Sequence, residues 1–374
     1  MPALRQLTFR GYRSLHDLRL HLGQLTVITG GNGVGKSNVY RALSLAQKLA
    51  QGTFAKAVAS EGGMPSMVWA GERKKNENIR IHLGIHHQDF NYTLEAGLIP
   101  TMPLDPTRFR TDPDLKIETL TTSGPSGKVM AQRKAASIFL RGSSGKLEPI
   151  PLPFHAPESM LSEVRDGLLH PFLTATRETL LQWRFHHHFP TDPASPLRKP
   201  MIGFWSPVLA ENGENVAATL QTLRESHRLQ PLDDVFSEAF PETSWSPVND
   251  DGSFEIRLLR HDLKRWLSSA ELSDGTLRFF CLAAALLTSH PPPLLVLNEP
   301  ETSLHPKLFP AISQLIAHAA KDTQIIIVSH SEELTSEIEK HSKITRLDLA
   351  IDRGRTRLSS HLGSNRVWEF GGEE

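Results

Sequence analysis

The chain has 374 residues, with 41 Lys+Arg balanced by 41 Asp+Glu and a hydrophobic content of 39%. That length is enough for one large domain or two to three smaller ones, and the ordinary composition excludes wholesale disorder. A formal net charge of zero excludes a global field for nucleic acid or membrane and leaves only local patches for either.

In chain order, the first elements are short strands at 4–9, 18–22 and 25–28. Past residue 37 the pattern becomes helical, with Val39, Leu43, Ala46 and Ala50 on one face and Gly52 as the stop. Residues 79–150 read as β-rich, with IRIHLGIH, YTLEAGLI, LKIETL and ASIFLRG as strands between Pro-, Gly- and Asp-rich turns. A helical section follows. ESMLSEVRDGLLH breaks at Pro171, PFLTATRETLLQW resumes, and ENVAATLQTLRES and LDDVFSEAF come later. Pro-rich links lie at 150–157 and 190–200. The last third returns to an α/β rhythm: a helix from Asp274, a strand at Leu294, a helix from Pro306 and a strand at Ile325, then a tail with two or three strand-like pieces. No internal repeat or heptad pattern appears, which argues against a long coiled coil.

The first motif with chemistry is GGNGVGKS, residues 30–37, which fits G-x-x-x-x-G-K-[ST] between an apolar strand and an amphipathic helix. Glycines let backbone N–H groups curl round phosphate oxygens at a helix N-terminus. Gly30, Gly31, Asn32, Gly33, Val34, Gly35, Lys36, Ser37 and the adjoining Asn38 are therefore the candidate nucleotide-binding residues. Lys36 is expected to reach the β- and γ-phosphates and the Ser37 hydroxyl to ligate Mg²⁺. In P-loop NTPases a second apolar strand carries an acid toward that metal. Here LLVL at 294–297 is that strand, Asn298 stands at the metal-associated position, and Glu299 is the candidate general base. ELSDGTLRFF places Ser273 and Gly275 at a second anion-receptive helix start. IIIVSHS is a buried strand ending in His330, suited to sense a γ-phosphate.

GGNGVGKS, LSDGT, LLVLNEPETSLHP and IIIVSHS, in that order, resemble the Walker A, signature, Walker B with D-loop, and switch-histidine motifs of ABC-type ATPases. The opening LRQLTFRGYRSLHDLRLHLGQLTVITGGNGVGKSNVYRAL is similar to the N-terminal segment of the RecF/SMC/Rad50-like branch. LSDGTLR, NEPETSLHP and ENGENVAATLQTL most resemble the compact AAA_21-type ATPases, cousins of the overcoming-lysogenization-defect (OLD) ATPases, without a TOPRIM domain. The resemblance covers about 1–55 and 205–335 by motif and the middle only by general layout.

What it implies is an α/β P-loop NTPase of the ABC ATPase head type: a mixed sheet with helices on both faces, plus a β-rich and helical inserted lobe. The expected division is 1–95 and 251–374 for the two parts of the head and 96–250 for the insert. Two ATP molecules with Mg²⁺ would be sandwiched in a head-to-tail homodimer, with Ser273, Gly275 and Ser303 acting in trans and Leu304 and His305 along the seam. Glu299 would polarise water, His330 would contact the γ-phosphate, and Arg13 in FRGYRS would lie near the nucleotide. The process served would be DNA repair or maintenance, or defence against phage. The alternative is an ATP-bound, weakly hydrolysing scaffold that recruits a separate effector protein.

Asn298 departs from the family's usual Asp. An amide carbonyl still accepts from a metal-bound water but adds no negative charge, so slow turnover is expected rather than a dead site. Gln88 is the only candidate found for a Q-loop glutamine, and no aromatic for stacking adenine is identifiable. ATP over GTP rests on the resemblance, supported by the lack of an Asn-Lys-x-Asp guanine-reading motif.

Weaker signals have plainer readings. His186, His187 and His188 are consecutive, so their side chains do not converge on one metal, and packing or surface roles are expected. The basic clusters ERKKNENIR and RLLRHDLKRW are the candidate DNA contacts. Asp348 and Asp352 read as strand-end acids and Cys281 as buried packing. A lone cysteine suits a reducing compartment. The N-terminus lacks a signal peptide's apolar core, and the apolar run at 279–287 is too short to span a bilayer. A cytoplasmic protein without membrane association is expected.

Overall fold

The computed structural model describes residues 2–72, 80–100, 107–124, 126–142, 144–150 and 157–361. The basic residues of ERKKNENIR before Arg80, and nearly all of the first Pro-rich link, lie outside these. The chain forms two compact units, one from 1–5, 22–27 and 178–345, the other from 6–21, 28–177 and 346–374.

The first unit is built on parallel strands. Arg184–His186, Leu294–Asn298 and Gln324–Val328 lie side by side in that order, followed by the 25–27 part of strand Leu25–Gly30. Every residue of Leu294–Asn298 and Gln324–Val328 is buried, as expected for strands covered on both faces. Both strands therefore read as unbroken apolar runs rather than as alternation. Asn298 and Gln324 are the polar exceptions, and the Gln324 side chain is satisfied by backbone: Leu4 N–H donates to Oε1 at 2.8 Å, and Nε2 donates to the carbonyls of Leu4 at 2.7 Å and Gly23 at 2.9 Å. Helix Asp274–Leu286 buries Phe279, Phe280 and Cys281. Phe280 meets Phe236 of helix Gln230–Ala239 at a ring separation of 5.5 Å and Trp245 at 4.9 Å. Helices Val216–Glu225 and Phe309–Ala319 complete this core.

The second unit carries an eight-stranded sheet in the order Leu15–His21, Leu4–Tyr12, Arg80–His87, Phe90–Leu98, Pro113–Thr122, Val129–Lys134, Ser137–Arg141, Leu147–Pro149. The residues expected to be β-rich are so. Val129–Lys134 and Leu147–Pro149 are strands that the apolar pattern had not revealed. The P-loop helix is Lys36–Gln51, stopped by Gly52 in a left-handed conformation at φ 71°. The 28–30 end of strand Leu25–Gly30 neighbours Thr345–Asp352, which pairs antiparallel with Arg355–Leu358.

One expectation is corrected, and one hairpin was not expected. ESMLSEVRDGLLH is not a continuous helix: only Met160–Glu163 is helical. Asp166 Oδ1 accepts from the backbone N–H groups of Leu168 at 3.1 Å and Leu169 at 3.0 Å, a side-chain turn that competes with further helix. Leu168 is 96% exposed, so no apolar face pays for continuing it. In addition, strands Thr243–Asp250 and Ser253–Arg260 form a hairpin absent from the sequence reading. Its turn residues Asp251 and Gly252 both have positive φ, 50° and 85°, the geometry that Asp-Gly favours between paired strands.

Candidate functional site

In the second unit, the strand ending at Gly30 turns through the P-loop into the helix beginning at Lys36. Lys36 Nζ donates to the carbonyls of Gly30 at 2.6 Å and Gly31 at 2.8 Å, so the ammonium lies folded over the loop. Gly35 precedes the helix at φ 101°, a conformation that suits glycine, and a Cβ there would run into Thr356 Oγ1 and Ser14 Oγ. Those hydroxyls brace the loop. Thr356 Oγ1 donates to the Val34 carbonyl at 2.7 Å, Ser14 Oγ lies 2.8 Å from Thr356 Oγ1, and Asn38 Nδ2 donates to Ser14 Oγ at 2.9 Å. Thr29 Oγ1 is hydrogen-bonded to Asp348. Gly31, Asn32, Gly33 and Ser37 are exposed, so the loop's rim and the Ser37 hydroxyl are open to a ligand.

Arg13 sits at φ 46° in the turn before Ser14, with its guanidinium paired to Glu61 at 2.8 Å. It belongs to the rim of a groove of about 830 Å³ that also includes Ser14, Trp69, Arg353, Arg355 and Arg357. The Arg355 guanidinium stands 5.7 Å from the Trp69 ring centroid. This aromatic was not found from sequence: no motif marks it, and the Tyr12–Val68 bridge and the bond from Trp69 N–H to the Gly11 carbonyl, 2.8 Å, bring it to the groove.

In the first unit, strand Leu294–Asn298 delivers the polar tip. Glu299 adopts φ 51°, a left-handed conformation that is costly for a non-glycine residue, and its N–H bonds the Val328 carbonyl at 2.7 Å. Asn298 is 2% exposed; its Nδ2 donates to His187 Nδ1 at 2.7 Å, while its Oδ1 is buried without a hydrogen-bond partner. Glu301, also buried, accepts on Oε1 from Ser329 Oγ at 2.7 Å and from His330 N–H at 2.8 Å, with His330 Nδ1 at 3.1 Å. A carboxylate not singled out from sequence thus holds the switch-histidine loop, and its own NEPE spacing was the available signal.

Ser273 caps helix Asp274–Leu286, its Oγ accepting from Thr276 N–H at 3.2 Å, and the residue is exposed. A Cβ on Gly275 would stand 2.9 Å from the Ser303 carbonyl, so the signature and the D-loop pack backbone to backbone. Ser303 is itself exposed, at φ 61°, and His305 is exposed while Leu304 is buried. Arg198, from the second Pro-rich link, donates to the Leu272 carbonyl at 2.7 Å and pairs with Asp274. Arg278 donates to the Thr302 carbonyl at 2.9 Å and contacts His188 Nδ1 at 3.2 Å. The histidine tract accordingly lies beside the Walker B tip: His186 is in the strand next to it, His187 on Asn298 and His188 on Arg278.

Among the described residues, no three His, Cys, Asp or Glu side chains are grouped to hold a metal ion. An Mg²⁺ carried largely by nucleotide phosphates needs only one or two protein oxygens. The exposed Ser37 hydroxyl at the start of the P-loop helix is an oxygen of that kind. Gln88 is exposed in the turn between strands Arg80–His87 and Phe90–Leu98, and Asp348 is engaged by Thr29 and Arg346.

The chain belongs to the AAA_21 family, described as AAA domain, putative AbiEii toxin, Type IV TA system, whose model matches residues 25–101 and 153–336. Its fold is that of SMC head domains. An SMC head solved with the C-winged helix domain of ScpA is similar over 96% of this chain and 97% of its own, at TM-score 0.53 and 15% identity. A Pyrococcus furiosus SMC head with an extended coiled coil, solved with the C-terminal domain of ScpA, is similar over 96% of each chain at TM-score 0.51 and 12% identity. The α/β architecture is therefore that of an ABC-type P-loop ATPase head, and family and fold together support ATP binding and hydrolysis. No helix among the described residues is long and apolar enough to cross a membrane.

Proposed function

We propose that the chain is a slow ATPase that works as a conformational switch: two copies close head to tail around two ATP molecules, and hydrolysis reopens them. The observation that carries the reading is the braced P-loop, with Gly35 at φ 101° and Lys36 Nζ held on the Gly30 and Gly31 carbonyls, ready to exchange those acceptors for phosphate oxygens. In this reading Gly30 to Ser37, with Asn38, cradle the phosphates, and the Trp69–Arg355 groove beside Arg13 takes the base. Glu299 takes a proton from the attacking water, and His330, oriented by Glu301, contacts the γ-phosphate. Ser37 and, through water, Asn298 would hold Mg²⁺, which would supply positive charge against the phosphates.

Ser273, Gly275 and Ser303 complete the partner's site; the exposure of Ser273 and Ser303 supports this. The division into 1–95, 96–250 and 251–374 is part of the same proposal, with the middle segment transmitting nucleotide state. The process is DNA repair or maintenance, or anti-phage defence, in the cytoplasm. DNA is the further partner, with RLLRHDLKRW as the described basic segment.

Asn298 favours one second reading, an ATP-bound scaffold that recruits a separate effector. SMC heads solved with ScpA domains make a recruited partner reasonable for this fold. ATP turnover and mass of wild type, Glu299→Gln and Asn298→Asp separate the two. The switch reading expects wild type to exceed Glu299→Gln by about 100-fold, within the range of general base catalysis, and Glu299→Gln to accumulate as an ATP-bound dimer. Equal turnover of the two leaves the scaffold, and a Glu299→Gln that stays monomeric in ATP removes the sandwich.

A further inference from the structure

The signature turn carries a charge at odds with the ligand expected there. Asp274 follows Ser273 as the first residue of helix Asp274–Leu286, where a carboxylate suits the positive end of the helix. It is exposed, as is the neighbouring Ser273 that is offered to a phosphate. An unpaired carboxylate at that place repels the phosphate. Arg198 pairs with it. The Arg198 side chain is only 14% exposed, and each of its nitrogens has an acceptor. Nε donates to the Thr191 carbonyl at 2.8 Å, Nη1 to the carbonyls of Leu272 at 2.7 Å and Ala270 at 3.2 Å, and Nη2 to the Asp274 carboxylate. The acceptors at 270, 272 and 274 alternate along the turn, a spread that a planar guanidinium spans and a point-charge ammonium does not. Ser269 Oγ ties the same segment to strand Ser253–Arg260, accepting from Ile256 N–H at 3.0 Å and donating to its carbonyl at 3.0 Å. Arg278, one helical turn beyond Asp274, donates instead to the Thr302 carbonyl and contacts His188. The guanidinium bonded to Asp274 is thus that of Arg198, and all these groups belong to one compact unit.

We infer that Arg198 is a positioning residue of the signature turn: anchored on three carbonyls, it cancels the Asp274 charge so that Ser273 and Gly275 receive a phosphate of the nucleotide held by a second copy. Asp274 keeps its place at the helix start, and the turn meets the anion without net charge. This rests on the head-to-tail reading above. It gives the second Pro-rich link, which carries Arg198, a part in that reading that no motif marks.

The test uses the full chain with Glu299→Gln as parent, ATP and MgCl₂, and reads by mass the protein concentration at which half is dimer. Arg198→Gln keeps an amide donor for the Leu272 carbonyl but removes the charge. In low salt it should raise that concentration about tenfold over the parent, and in high salt by no more than about threefold, because screening weakens an exposed charge. Adding Asp274→Asn should bring the low-salt value back to within about threefold of the parent, the mark of a coupled pair. Affinity of the monomer for a fluorescent ATP analogue is the control and should stay within about twofold, because the turn acts on the nucleotide of the other copy. An arginine that only shapes the turn would leave a defect that neither salt nor Asp274→Asn relieves. If Arg198→Gln fails to fold, Arg198→Lys decides, since it keeps the charge and loses the fork. Dimerisation of Arg198→Lys close to the parent then supports cancellation, and a loss that salt does not relieve overturns it. In a parent that dimerises, an unshifted Arg198→Gln, an equal defect at both salts, or a double variant no better than Arg198→Gln sinks this inference alone. A parent that stays monomeric in ATP removes the sandwich reading and this inference together.

Discussion

At the scale of single residues, the site depends on groups whose identity motifs do not announce. His186 is 4% exposed, and burial pushes its pKa down to about 4, partly opposed by the Glu211 carbonyl at 3.4 Å. The folded state holds it neutral, while the unfolded chain protonates it near the ordinary value of 6.5. Its contribution is thus complete above about pH 6.5 and is lost as pH falls toward 4, by about 3 kcal/mol in all. Denaturant titrations between pH 4.5 and 7 should show this slope in wild type and a flatter one in His186→Gln. Trp69→Ala should weaken nucleotide binding about tenfold, since removing a stacked face costs about 1–3 kcal/mol, without changing the oligomer formed at saturating ATP; an unchanged affinity would remove Trp69 from the base site. The P-loop and the Asn298–Glu299 pair were legible because their chemistry demands fixed local spacing. The contacts of Trp69, Glu301 and His187 were not. Trp69 is brought beside Arg355 by the Tyr12–Val68 bridge, His187 is brought to Asn298 by a strand pairing across a long stretch of chain, and Glu301 is tied to the His330 loop by hydrogen bonds.

At the scale of elements, the polar core of the second unit shows how short pieces are held. Strand Pro113–Thr122 buries Glu118 completely. Tyr92 Oη donates to it at 2.6 Å and Met160 N–H at 3.0 Å; Ser159 Oγ also donates, and Arg133 lies at 3.5 Å. The four-residue helix Met160–Glu163 is far too short to be stable alone, so this carboxylate and the Ser159 cap anchor its start. Glu118→Ala takes the carboxylate from a buried arginine and should cost about 3–5 kcal/mol, measured by urea denaturation. A loss under about 1 kcal/mol would mean that neighbouring groups rearrange to replace it. The same element explains the failed expectation for ESMLSEVRDGLLH. Its apolar residues suit a helix, but the turn made by Asp166 and the exposure of Leu168 leave nothing for a longer helix to pack against.

At the scale of the whole molecule, the proposed dimer makes a distinct prediction. Ser273 is exposed at the start of its helix, so Ser273→Arg places bulk and charge on the surface offered to a second copy. In a Glu299→Gln background this should abolish the ATP-dependent dimer by mass while leaving nucleotide binding to the monomer within about twofold. Loss of the cap should lower stability by only about 1 kcal/mol. Persistence of the dimer would show that it forms through another surface.

The sequence by itself determined the ABC-type head: an apolar strand before GGNGVGKS, a helix after it, and NEPE and SHS at the tips of buried strands. Those motifs are contiguous, and their residue types follow from phosphate and water chemistry, so local reading sufficed. Tertiary structure decided what surrounds them. It placed the Arg184–His186 strand beside Leu294–Asn298, which put an imidazole on the amide at 298 and left Oδ1 as a lone buried acceptor. Strand register joins residues more than 100 positions apart, and such pairing depends on which strands become neighbours, which no local spacing encodes.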